Sequence, residues 1–234
     1  MASARSMGAA LARPRIEGIV TPAHNDGVTQ LARLIWQPGM HMDVGWWRAF
    51  DMLPWRETYR RQAACRKSID ALVIARRGWP SAAAGDCAPP QSNTAHAMLR
   101  RLPNLRRLSL AHGLRTLGCP DYLLLGTYRR ALSSCLDAWQ CDRLLLTRRD
   151  WPASATLSPE QVVPAALAAT GACLDDALEL PSVDVATVTK AARLLLPPPA
   201  DIEPFASGAR VTNEDIWLRF AALEKMLCMS STSP

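Results

Sequence analysis

Lysine is scarce in this chain. Of its 27 basic residues only Lys67, Lys190 and Lys225 are lysines, and the rest are arginines. Aromatic residues are also few, at 6%. No apolar run approaches the ~18 residues that a membrane-spanning helix needs. The pure leucine runs, such as Leu123–Leu125 and Leu144–Leu146, are short. No cysteine pair has Cys-x-x-Cys spacing and there are four histidines, which argues against a structural zinc site. The seven cysteines are odd in number and scattered, which argues against a disulfide framework and for reduced, mostly buried thiols in a cytosol. Four catalytic signatures are missing: Gly-x-x-x-x-Gly-Lys-Ser/Thr, Gly-x-Gly-x-x-Gly, His-Glu-x-x-His and Gly-x-Ser-x-Gly. No segment alternates apolar and polar residues with a period of two, so strands are not expected.

What is present is helical punctuation. Asp26 suits the cap of a short helix through Leu31, Leu34 and Ile35. The stretch HMDVGWWRAFDMLP reads as a second short helix. A longer one is expected over 54–77, with Pro54 at its first position and Tyr59, Ala63, Ile69, Leu72 and Val73 inward. Another is expected over 95–117, interrupted by Pro103 and closed by Gly118 in a left-handed cap. From Pro120 and Asp121 a helix toward Arg149 follows, with Tyr122, Leu125, Arg129, Leu132, Leu136 and Trp139 on one stripe that Leu124, Tyr128 and Cys135 widen. Ser158-Pro159-Glu160-Gln161, Ser182 and Thr212 open three more. The expected class is all-α: an irregular multi-helix domain of about seven or eight helices with no sheet.

The domain reading follows from composition. Residues 1–25 are expected to be disordered, 26–229 to form a single helical domain, and 230–234 to be a disordered tail. Residues 78–94, small, polar and proline-containing, offer a subdomain break or a long loop. TYRR at 58–61 and 127–130, and RRGWP at 76–80 against RRDWP at 148–152, form an internal echo. Duplication and chance both explain it.

Chemistry is not marked. Cys119 stands before a helix N-terminus, and His112 lies within reach as a base, yet Pro120 removes an amide donor beside it. The thiol reads as a small hydrophobe at a helix–helix corner. Asp175-Asp176 and Glu214-Asp215 are adjacent residues that diverge by ~100° on a helix, so neither is a paired-carboxylate centre. We assign no catalytic, cofactor-binding or metal-binding residue.

Charge is distributed by halves. Residues 1–130 carry 19 basic and 8 acidic side chains, whereas residues 131–234 carry 8 and 13. The halves pair inside one fold, or face different partners. Arg100, Arg101, Arg106, Arg107, Arg115, Arg129 and Arg130 form a candidate docking region. An arginine-rich, helical nucleic-acid-binding regulator is the alternative for it. The leucines after Gly118 are wrong for base contact.

The block Met98–Pro152, with MLRRLPNLRRLSLAHGLRTLGCPDYLLLGTYRRAL and LLLTRRDWP, resembles the SctK (YscK/PscK-like) family of type III secretion proteins. It is most similar to the branch found in plant-pathogenic and Burkholderia-type bacteria. The later ARLLLPPP is similar to that family's C-terminal region. The resemblance implies a helical, non-enzymatic adaptor of the cytoplasmic sorting platform, peripheral at the inner-membrane base of the apparatus. Its implied partners are an SctQ-like pod protein and the cytoplasmic domain of an SctD-like inner-membrane-ring protein, with no nucleic acid and no membrane insertion. The family has no catalytic residues to carry over.

Overall fold

A computed structural model describes residues 22–80, 87, 89–147, 151–176, 182–199 and 213–228. These residues form thirteen α-helices, a single 3-10 turn and no strand. In order the helices are α1 (Pro22–Trp36), α2 (Pro38–His41), α3 (Val44–Ala49), α4 (Trp55–Arg61), α5 (Ala63–Arg77) and α6 (Asn93–Leu99). The 3-10 turn Leu102–Asn104 leads into α7 (Leu105–Leu117), α8 (Asp121–Leu124), α9 (Gly126–Leu132) and α10 (Ala138–Leu146). The last three are α11 (Pro159–Asp176), α12 (Val183–Arg193) and α13 (Asn213–Cys228). The all-α class is therefore observed. The expected termini, 1–25 and 230–234, lie largely or wholly outside the described residues, as does most of the central part of 78–94.

The count exceeds seven or eight because long expected helices are cut. The one foreseen over 54–77 breaks at Gln62, whose backbone is extended (φ −112°, ψ 99°). Arg66 holds the break: its Nε donates to the Tyr59 carbonyl at 3.1 Å and its Nη2 to Arg60 at 2.9 Å. Carbonyls at the end of α4 thus gain side-chain partners. Ala63 and Leu72, expected inward, are exposed, while Asp70 is buried. The helix foreseen from Asp121 breaks twice. Leu125 is extended (φ −76°, ψ 133°), which leaves Leu124 and Leu125 exposed at 55% and 49%. Then Asp137 opens α10 with a reciprocal box: its Oδ1 accepts from Gln140 N at 2.8 Å, and Gln140 Oε1 accepts from Asp137 N at 3.1 Å. Asp26 lies inside α1, which begins four residues before it. The Thr212 cap lies outside the described residues.

Other signals hold. Pro103 separates α6 from α7, and Gly118 closes α7 with φ 69°. Gln161 Oε1 accepts from Ser158 N at 3.0 Å at the start of α11. Ile216, Phe220, Leu223 and Leu227 are the buried stripe of α13.

At the centre lies α7. Residues Leu108 through Leu114 are all buried, so this helix has no outer face along that length. It is covered by α11 and α13, which supply Ala166, Leu167, Leu174 and Phe220 to the same core. A second, smaller cluster gathers Met42, Trp47, Met52, Tyr59, Ile69 and Val73 with Leu194 from the far end of the chain. Asp43 N donates to the Leu194 carbonyl at 2.8 Å, and Trp46 Nε1 to Leu196 at 2.8 Å. The tryptophan-rich segment thus rests on the ARLLLPPP turn.

Candidate docking surfaces

The seven arginines do not share one free face. Arg101 meets Glu224 of α13 at 3.1 Å and donates to the Ala97 carbonyl at 2.6 Å. Arg106 meets Asp43 at 2.9 Å, with half of its side chain exposed. Arg107 donates to Asn104 Oδ1 at 3.0 Å. Arg129 pairs with Asp142 and with the Leu123 carbonyl. Arg115 is half-buried beside His112. Arg100 and Arg130 are exposed. Two of these pairs, Arg101–Glu224 and Arg129–Asp142, join the basic half of the sequence to its acidic half.

Cys119 is 1% exposed and belongs to the main core. His112 does not turn toward it. The His112 Nδ1 lies 3.2 Å from Thr170 Oγ1, which itself donates to the Ser109 carbonyl at 2.7 Å. The Thr170 proton is committed there, so the imidazole Nδ1 donates. Burial, with Arg219 and Arg115 nearby, pushes the His112 pKa down to about 4. A neutral, buried imidazole held by Thr170 is a structural group. The thiols are less buried than expected: Cys119 and Cys141 are buried, Cys228 is exposed, and the other four lie between. Among the described residues, no three His, Cys, Asp or Glu side chains are placed to hold a metal ion. No described helix is long and apolar enough to cross a membrane.

Two large exposed apolar side chains, on α1 and α2, border a groove against α5. Trp36 and Met40 are 58% and 51% exposed, and they line a groove of about 780 Å³ with Tyr59, Ile74, Arg66 and Lys67. Its floor is rigid. Asp70 accepts from Gly39 N at 3.0 Å and from the Tyr59 hydroxyl at 3.1 Å. Burial raises the pKa of both groups, so the Asp70 proton is held more firmly than usual. Two cations at the rim of an apolar groove favour an amphipathic partner with carboxylates at its edge. Trp36 and Met40 are not foreseen from sequence. The cue for them is the Pro38-Gly39 break, which ends α1 and turns α2 across it, leaving two large side chains without cover.

Comparison with known families gives a match. Residues 29–198 fit the model of a type III secretion system subunit family. That span covers well over half of the chain, and the chain belongs to this family. No curated protein and no solved structure matches it.

Proposed function

We propose that the chain is a non-enzymatic adaptor of the type III secretion sorting platform, working in the cytoplasm at the inner-membrane base of the apparatus. In this reading it joins an SctD-like ring domain to an SctQ-like pod protein and acts by docking alone. The observation that carries it is the secretion-subunit match over 29–198, which contains the SctK-like stretch Met98–Pro152. Two surface features support it. The Trp36–Met40 groove with Arg66 and Lys67 at its rim fits an acidic amphipathic helix of one partner. Arg100 and Arg130, both exposed, are the cations of the candidate region that offer themselves to an acidic second partner. The nucleic-acid reading loses ground, because Arg101, Arg106 and Arg129 are committed to carboxylates of the same chain.

The test is affinity purification of the tagged full-length chain from cells secreting through this apparatus. The reading requires pod and ring subunits in the eluate. It also requires loss of one of them with the double substitution Trp36→Ser, Met40→Ser, at unchanged thermal stability. Recovery of neither subunit with the wild-type chain overturns it.

A further inference from the structure

Where α5 ends, a group of cations outnumbers the acids among the described residues. The Arg77 guanidinium lies over the Trp79 ring, 4.4 Å from its centroid, and Lys190 Nζ lies 5.9 Å from the same centroid. One Arg77 nitrogen donates to the Lys190 carbonyl. The other, Nη1, is buried with no hydrogen-bond partner, and no described carboxylate pairs with Arg77. Burial pushes the Arg77 pKa down to about 10. One turn beyond Thr189, Arg193 is 7% exposed. Its Nε donates to both oxygens of Asp175 at 2.8 and 2.9 Å, while its Nη2 is buried and unpartnered. Thr189 is 1% exposed, and its Oγ1 also lacks a partner. All of these residues line a single open groove of about 440 Å³.

The chemistry of a missing ligand follows from the imbalance. Buried polar groups are nearly always hydrogen-bonded, and an uncompensated buried charge is costly. Here three unsatisfied donors, Arg77 Nη1, Arg193 Nη2 and Thr189 Oγ1, belong to the lining of one groove. Among the described lining residues Arg77, Lys190 and Arg193 outnumber Asp175, a net charge of +2. A carboxylate brings one charge and two oxygens. A phosphate monoester brings about −1.5 to −2 at neutral pH and three acceptor oxygens. The groove is also of the size that holds small molecules. We propose that the groove formed by Arg77, Thr189, Lys190 and Arg193 binds the phosphate group of a small phosphorylated molecule. The site is separate from the Trp36–Met40 groove and does not depend on the adaptor role.

Thermal unfolding of the full-length chain tests this, in inorganic phosphate, glycerol phosphate, acetate and chloride at matched ionic strength. At ten times the Kd, a phosphate probe raises the midpoint by about 4 °C. Glycerol phosphate acting more strongly than inorganic phosphate identifies a monoester; equal action identifies the free anion. Thr189→Val keeps the shape of the side chain and Lys190→Gln changes a half-buried one, so both variants fold. Each is expected to keep the wild-type midpoint in chloride and to lose most of the phosphate response. Three results overturn the proposal: no phosphate response in the wild type, an equal response in both variants, or an acetate response as large as that of phosphate. The last would mark the groove as the seat of a partner protein's carboxylate.

Discussion

Gly113 of α7 and Ala166 of α11 are in backbone contact: a β-carbon on Gly113 would stand 1.9 Å from the Ala166 carbonyl oxygen. Main chain lies on the other side, so no rotamer relieves the overlap. Gly113→Ala is expected to force the two central helices apart and to cost about 3 kcal/mol, measured by urea unfolding. Gly126, by contrast, has nothing within 4 Å of the place a β-carbon would take. Gly126→Ala is expected to stabilise the chain by about 0.5–1 kcal/mol through helix propensity at the start of α9. A neutral Gly113→Ala would contradict the close packing of α7 on α11.

Asp184 pins the entry to α6 from a distance in sequence. It is 7% exposed and accepts from Gln91 N at 3.1 Å and Ser92 N at 2.8 Å, and Ser92 in turn caps Ala95 N at 3.1 Å. A hydrogen bond from the Ser182 side chain, together with the Ser92 and Gln91 amides, holds its carboxyl well below the usual carboxylate range. Asp184→Ala leaves three amides, those of Gln91, Ser92 and Val185, without this acceptor, and a loss of about 2–3 kcal/mol is expected in the same unfolding assay.

His112 sets a pH dependence. Its folded pKa of about 4 lies below the ordinary 6.5, so the unfolded chain binds the proton more readily. The stabilisation from a neutral His112 is complete above pH 6.5 and is lost as pH falls toward 4. The difference amounts to about 3 kcal/mol. Denaturant midpoints at pH 7 and pH 4.5 measure it. His112→Asn, which retains a donor for Thr170 without titrating, is expected to narrow the gap between the two. A wild-type chain as stable at pH 4.5 as at pH 7 would count against a buried neutral imidazole.

Much of the fold was legible where a signal is local. Pro103, Gly118 and Ser158 act through their own backbone, and the stripe of α13 follows from simple periodicity. The breaks at Gln62 and Leu125 were not legible, because they depend on arginines reaching carbonyls six or seven residues away. The same holds for the surface. A run of arginines in sequence does not reveal that Glu224, 123 positions beyond Arg101, engages one of them. Nor does RRGWP reveal that Arg77 meets Lys190 across the fold.

The arginines can be sorted by experiment. Arg100→Ala and Arg130→Ala, at exposed positions, are expected to change stability by less than about 0.5 kcal/mol while weakening capture of the acidic partner. Arg101→Met strands Glu224, whose side chain is 27% exposed, and is expected to cost about 2 kcal/mol in stability. Unfolding and capture measured on the same preparations separate the two roles.

The most direct measurement is site-specific photo-crosslinking in secreting cells, with the reactive side chain in place of Met40 and, as a control, of Leu146. Both positions are exposed, but only Met40 lines the groove. An adaptor docking through this groove gives an adduct at Met40 whose mass spectrum contains peptides of a pod or ring subunit, and none of these at Leu146. Adducts at Met40 that contain no secretion component, in cells where the apparatus is assembled and active, would contradict it.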